Sequence, residues 1–378
     1  MKVGILTVHR LPNFGSVLQT YALYQSIKSL GHDCEIIDYI YPNEWHIKKG
    51  CFHLSKAPLK RRVATALGLR PKDFLMLMND FVRATMKMSK TYPTFESIHQ
   101  DPPVYDLYVS GSDQLWNWKT MYMDTTFMLD FAPGTKNRIS FSTSIAQNTI
   151  PEEYQEPYRR NLSKYKAISV REKNGQTLLK ELFGFDAELI HDPTLLLDGT
   201  QWEKLGEKAQ FKTAVPDNYI LCYPLGYTFN PAIKMKELLN RLEQIYKCPV
   251  VMLNNSIKDY MGNVFHFAKN QSIGIPEIIW LFKHATVIAT SSFHGTAFSA
   301  NLGKPFYSLI EKEKQSDDRI PSFLHGVGLS SQIVTLDTHI QEITPCCYDF
   351  DKTRNSLKEI REESLSFLKK NLIDSHAK

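Results

Sequence analysis

Two rhythms of hydrophobic and polar positions run along this chain. One is a short apolar run rich in β-branched residues, as expected of a strand covered on both faces; the other repeats apolar residues every three or four positions, as in a helix with one buried stripe. Val3 to Val8 is a run of the first kind, followed by the loop HRLPNFGS and a helix whose Leu23, Ile27 and Leu30 share a face before Gly31 ends it. Cys34 to Ile40, Tyr105 to Val109, Arg138 to Ile145, Ala167 to Val170 and Glu188 to Ile190 read as further strands, with a helix from Asn174 to Phe183. The pattern resumes with a strand from Tyr219 to Pro224, a helix from Pro231 to Tyr246, a strand from Pro249 to Leu253 and a helix from Pro276 to His284. Ala285 to Leu309 is the clearest unit. There Thr286 to Thr290 is a strand, and Ala297, Phe298, Ala300 and Leu302 suit a helix stopped by Gly303 and Pro305 before a second strand.

Alternating strands and helices predict parallel sheets, so the expected fold class is α/β, with two Rossmann-like domains facing a cleft. The polar stretch from Gln201 to Asn218 reads as the linker. The expected domains are 1–200, with a basic insertion near 41–100, and 219–345, followed by a terminal segment 346–378 whose helix, Lys352 to Leu372, is able to brace both. At 378 residues, 43% hydrophobic and 22% charged, the chain is long enough for two globular cores. A formal charge of +5 suits small anionic substrates and is modest for a nucleic-acid binder, and no nucleic-acid signature is present. The six cysteines show no C-x-x-C spacing and read as reduced thiols of a cytoplasmic protein. In the insertion, Lys56, Lys60, Arg61, Arg62, Arg70 and Lys72 precede the apolar run FLMLMNDFV. That reads either as a solvated face beside a core helix or as a surface that rests on anionic lipid at the inner face of a membrane or holds a pyrophosphate-linked acceptor.

Ligands of open α/β sheets lie beyond the carboxyl ends of strands, where the free N–H groups of the next helix favour an anion. The strand ends of this chain carry matching chemistry. Ser291, Ser292, His294, Gly295 and Thr296 follow the strand Thr286 to Thr290; the alternative is that Ser292 or Thr296 only caps the helix. Asn13 and Gly15 lie in the first loop as anion cradle or turn formers, and the loop lacks the G-x-G-x-x-G fingerprint of a dinucleotide site. Ser112 and Asp113 follow the strand ending at Val109, where Asp113 is a turn residue or a carboxylate that orients or deprotonates a hydroxyl. Arg171 and Glu172, then His191 and Asp192, end two further strands. Arg319 follows the strand after Pro305 and either reaches the same site or pairs with Asp317 or Asp318.

Taken in order, LTVHRLPNFGSVLQTYALYQSIKSLGH, VSGSDQLWN, SVREK, DPTLLL and TSSFHGTAFSANLGKPF resemble the polysaccharide pyruvyl transferase family across most of the chain. The resemblance implies a fold like the B-type glycosyltransferases, phosphoenolpyruvate as donor, and a sugar with two hydroxyls, nucleotide- or lipid-linked, as acceptor. The product would be a pyruvate ketal of a surface polysaccharide. It maps the family's anion-binding arginine onto Arg171, its active-site histidine onto His294 and its polar loop onto Ser112 and Asp113. A branch of the family has R-L-H-G where this chain has Ser292 two residues before His294, so phosphate binding falls to Lys304 and Arg319. A donor with a carboxylate and a phosphate needs cations and helix-start N–H groups, and ketal formation needs an acid and a base. His294 suits proton transfer near neutral pH, with Asp113 as second candidate. No cofactor and no metal is called for. A nucleotide-sugar glycosyltransferase and a non-catalytic sugar-phosphate-binding protein are the competing readings, and the acceptor and oligomeric state stay open.

Overall fold

In a computed structural model, which describes residues 1–40, 74–226, 229–254, 257, 259–268, 271–312 and 317–373, the chain divides into two α/β units. The basic cluster Lys56 to Lys72 lies outside the described residues. The first unit comprises Met1–Leu196 and Ile360–Lys378. Its elements are β1 (Lys2–Leu6), α1 (Phe14–Ser29), β2 (Asp33–Tyr39), α2 (Phe74–Thr85), β3 (Met88–Tyr92), α3 (Phe95–Gln100), β4 (Leu107–Ser110) and β5 (Arg138–Ser140). α4 (Glu152–Leu162), β6 (Ser169–Val170), α5 (Lys173–Phe183) and β7 (Glu188–Leu189) follow. Five strands form one parallel sheet in the order β3-β2-β1-β4-β5. The bridges Ile139 to Ala167 and Thr143 to Val170 carry the parallel alignment on to the β6-β7 pair. Twelve of the sixteen residues of α1 are buried, so this helix has no polar face to speak of and belongs to the core. The apolar run FLMLMNDFV forms most of α2, which buries Met78 and Val82.

The second unit is Leu197–Glu359. It holds α6 (Gly199–Gly206), β8 (Ile220–Tyr223), α7 (Ala232–Tyr246), β9 (Val250–Met252), β10 (Val264–Phe265), α8 (Ile275–His284) and β11 (Val287–Thr290). α9 (Phe293–Asn301), β12 (Phe306–Leu309), α10 (Arg319–Gly326) and β13 (Ile333–Val334) complete its sheet layer. All its pairings are parallel, in the order β10-β9-β8-β11-β12-β13. The stretch Gln201 to Asn218, expected as a linker, instead opens this unit. α6 carries charges on one side and buries Trp202 on the other, 5.0 Å from the ring of Phe298. The terminal helix, α11 (Phe350–Asn371), belongs to the second unit as far as Glu359 and to the first from Ile360, where Phe367 meets Phe141. Each sheet is thus doubly wound, and its strand order reverses once, between β1 and β4 in the first unit and between β8 and β11 in the second. Those two reversals position the chemistry.

Candidate active site

In the first unit the loops leaving β1 and β4 meet at the reversal. The Thr7 hydroxyl donates to the Ser112 carbonyl at 2.9 Å, and the Ser16 hydroxyl donates to Asp113 Oδ2 at 2.6 Å. Asn13 caps α1, its Oδ1 accepting from the Gly15 amide at 2.9 Å. In this structure Asn13 and Gly15, expected as anion cradle or turn formers, form the helix cap with each other. Asp113 has φ 81°, Ser142 φ 54° and Ala146 φ 49°, three non-glycine residues in the left-handed region, beyond the ends of β4 and β5. Such backbone costs on the order of 1–3 kcal/mol per residue and persists where surrounding bonds enforce it. Glu172 does so for one loop, its Oε1 accepting from the Ile145 and Ala146 amides at 2.7 and 2.9 Å. Asp113 accepts from its neighbour Gln114 through Oδ1 and from the Ser144 amide through its carbonyl, both at 2.9 Å.

Beneath Asp113 lies an ion pair. Arg171 Nη2 is 2.8 Å from Asp192 Oδ2, and the two side chains are 1% and 0% exposed. The same guanidinium donates to the Ser112 hydroxyl, which donates in turn to the Ser142 carbonyl at 2.9 Å. Asp192 also accepts from the amide and hydroxyl of Thr194, at 2.9 and 2.6 Å. Arg171, expected to meet a substrate anion, is paired here with Asp192 and bonded to Ser112, the residue before Asp113. Burial pushes the neighbouring His191 imidazole down to about 4 against the opposing pull of Asp192.

The second unit repeats the arrangement with different chemistry. Ser291 closes the loops leaving β8 and β11, its hydroxyl accepting from the Leu225 amide and donating to the Leu225 carbonyl, both at 2.8 Å. The Thr290 hydroxyl donates to the Tyr223 carbonyl at 2.8 Å and accepts from the Ser292 amide at 3.0 Å. Ser292 caps α9 through the Gly295 amide at 3.3 Å, and the Thr296 hydroxyl bonds the Ser292 carbonyl at 3.0 Å and the Ser308 hydroxyl at 2.7 Å. A side chain at Gly295 would place its Cβ 2.3 Å from Thr290 Oγ1, so only glycine permits this approach of helix and strand. These five residues fix the position of His294, the second residue of α9 and 5% exposed.

Arg319 opens α10 on the same carboxyl side of the sheet. Its Nε and Nη2 donate to the Asp317 carboxylate at 2.7 and 2.6 Å, and its Cζ lies 5.9 Å from the ring centroid of Phe293. Arg319 thus both pairs with Asp317 and adjoins the His294 loop. Lys304 does not. It precedes β12, at the amino end of the sheet, and a four-residue strand of about 13 Å separates that end from the His294 loop. Burial, and then repulsion from Lys283, lowers the Lys304 pKa there. Ser16, Glu172, Asp192 and Asp317 were not singled out as site residues. Ser16, Asp192 and Asp317 are partners of the candidates Asp113, Arg171 and Arg319, whereas Glu172 bonds the Ile145 and Ala146 amides; a hydroxyl or carboxylate near a strand end was the available signal. Among the described residues no group of three His, Cys, Asp or Glu could hold a metal ion, and no helix is long and apolar enough to cross a membrane.

Several solved structures share the general outline. One is a UDP-N-acetylglucosamine 2-epimerase from Rickettsia bellii, 11% identical with a TM-score of 0.49 over 98% of this chain and 96% of that one. Another is an Anabaena protein solved in complex with UDP and glucose, 9% identical with a TM-score of 0.47 over 98% of this chain and 100% of that one. No curated protein matches the chain significantly. The family model for polysaccharide pyruvyl transferase, however, matches residues 13–312, which span the strands from β2 to β12. The chain belongs to the polysaccharide pyruvyl transferase family, a family of transferases.

Proposed function

We propose that this protein transfers the pyruvyl group of phosphoenolpyruvate to two hydroxyls of a sugar, forming a cyclic ketal in surface-polysaccharide synthesis. The observation that carries the reading is the placement of His294: a nearly buried imidazole at the start of α9, beyond the strand reversal of its sheet and beside the Phe293–Arg319 contact. The helix start and Arg319 favour the donor's anionic groups there. His294 acts as the proton handler. A proton goes to the methylene carbon of the donor, the electron-poor C2 accepts one sugar oxygen, the C2–O bond to phosphate breaks, and the second sugar oxygen closes the ring. The two hydroxyl protons balance the one gained by carbon and the one that leaves with hydrogen phosphate. The loop of Asp113, strained at φ 81°, offers a carboxylate as the second candidate for the base. Arg171 and Ser112 position that loop. The acceptor is a nucleotide- or lipid-linked sugar, in the second case presented at the inner face of a membrane.

The test is incubation with phosphoenolpyruvate and a panel of nucleotide-linked and lipid-linked sugars, read by phosphate release and by mass. Phosphate release that requires both substrates, with a product heavier by one pyruvyl ketal, is the expected result. Consumption of a nucleotide sugar with release of the nucleotide, and no use of phosphoenolpyruvate, would overturn it.

A further inference from the structure

A second charged cluster stands at the carboxyl end of β2, outside the site just described. Asp38 accepts from Arg10 Nε and Nη2 at 2.6 Å each and from the Thr91 hydroxyl at 2.7 Å, and His9 Nε2 lies 3.0 Å from its Oδ1. The His9 and Asp38 side chains are 1% and 7% exposed, whereas Arg10 is 23% exposed. Burial opposes the charge on Asp38, but the bonds from His9, Arg10 and Thr91 outweigh it and hold the carboxyl far below its ordinary range. His9 Nδ1 lies 2.9 Å from the Thr7 carbonyl oxygen. His9 and Thr91 thus hold the carboxylate from inside the protein, and the Arg10 guanidinium is the part of the cluster that reaches the surface. Arg10 Nη1 has no hydrogen-bond partner among the described residues.

The position of this cation gives it a use. β2 and β4 flank β1, so two strand spacings, about 10 Å, separate the strand end of Asp38 from that of Asp113. A ligand lying along this edge meets a cation at one end and a carboxylate suited to a hydroxyl at the other. From this juxtaposition we propose that Arg10, held by His9 and Asp38, binds a phosphoryl group carried by the sugar acceptor. The word acceptor rests on the transferase reading above; the anion site does not.

Calorimetry on the full chain tests it, with pyrophosphate as probe and phosphoenolpyruvate titrated separately. Arg10→Gln is expected to weaken pyrophosphate binding about ten- to hundredfold while leaving phosphoenolpyruvate affinity unchanged. Arg10→Lys, which keeps a positive charge beside Asp38, guards against loss of folding and is expected to fall between the two. Parallel titrations with UDP and farnesyl diphosphate tell a nucleoside carrier from an isoprenoid one, and an Arg10-dependent affinity in either supports the site. Pyrophosphate binding that is absent from the parent, unchanged in Arg10→Gln, or lost together with phosphoenolpyruvate binding overturns it. If the parent binds pyrophosphate through Arg10 but does not bind phosphoenolpyruvate, the transferase reading fails and the anion site stands.

Discussion

The two sheets present the same topological feature and hold it by different forces. In the first unit the loop bearing Asp113 lies over buried charge: Arg171 on Asp192, and Glu172 on two amides. In the second the loop bearing His294 is closed by neutral bonds from Thr290, Ser291, Ser292 and Thr296, and by the close approach of Gly295 to Thr290. Buried ions are costly to expose singly, whereas a hydroxyl network tolerates charge changes nearby but not added volume. The first loop is therefore sensitive to charge deletion and to acid, and the second to bulk.

The largest effect should come from splitting the buried pair. Arg171→Ala strands the Asp192 carboxylate and is expected to cost roughly 3–5 kcal/mol of stability, read from denaturant unfolding. Replacing Arg171 with Met and Asp192 with Leu together should recover much of that loss. A double variant no better than Arg171→Ala would mean that the pair does more than neutralise itself. Next in size is Gly295→Ala, whose Cβ meets Thr290 Oγ1 at 2.3 Å. Overpacking of this kind costs about 1–3 kcal/mol, and Thr290→Ala in the same chain should relieve it in part. No loss in Gly295→Ala alone would show that the loop is looser than its bonds imply.

The smallest effect is in pH. Burial holds His191 at about 4 in the folded chain, against about 6.5 when unfolded. Between those values the unfolded chain binds a proton that the folded chain does not, so stability should fall as pH drops from about 6.5 to 4. Asp38, whose folded pKa is depressed, adds a loss that begins as pH falls below about 3.9. His191→Gln should flatten the upper part of this acid limb. An unchanged limb would place the titration elsewhere.

How much of this was legible follows from what each residue contacts. The central strands were readable because strands buried on both faces are continuous apolar runs, as in Val287 to Thr290. The edge strands β3, β10 and β13 were not, since MSKTY at β3 is mostly exposed or half-exposed and lacks such a run. α6 looked like a linker because GTQWEKLG is short and its only large apolar residues are Trp202 and Leu205. At the site, strand ends marked where polar side chains gather, but no spacing says that Arg171 meets Asp192 or that Asp38 gathers His9, Arg10 and Thr91 across three strands' ends. Lys304 misled because it follows the His294 helix closely in sequence, whereas the chain has by then returned to the opposite end of the sheet.

The central claim is that His294 moves the proton in pyruvyl transfer, and single-turnover phosphate release by parent and His294→Ala, beside calorimetric titration of phosphoenolpyruvate, tests it most directly. The account predicts that His294→Ala still binds the donor but turns over about 10²–10⁴ more slowly. Turnover at the parent rate would make His294 a structural residue of a capped helix and contradict the claim.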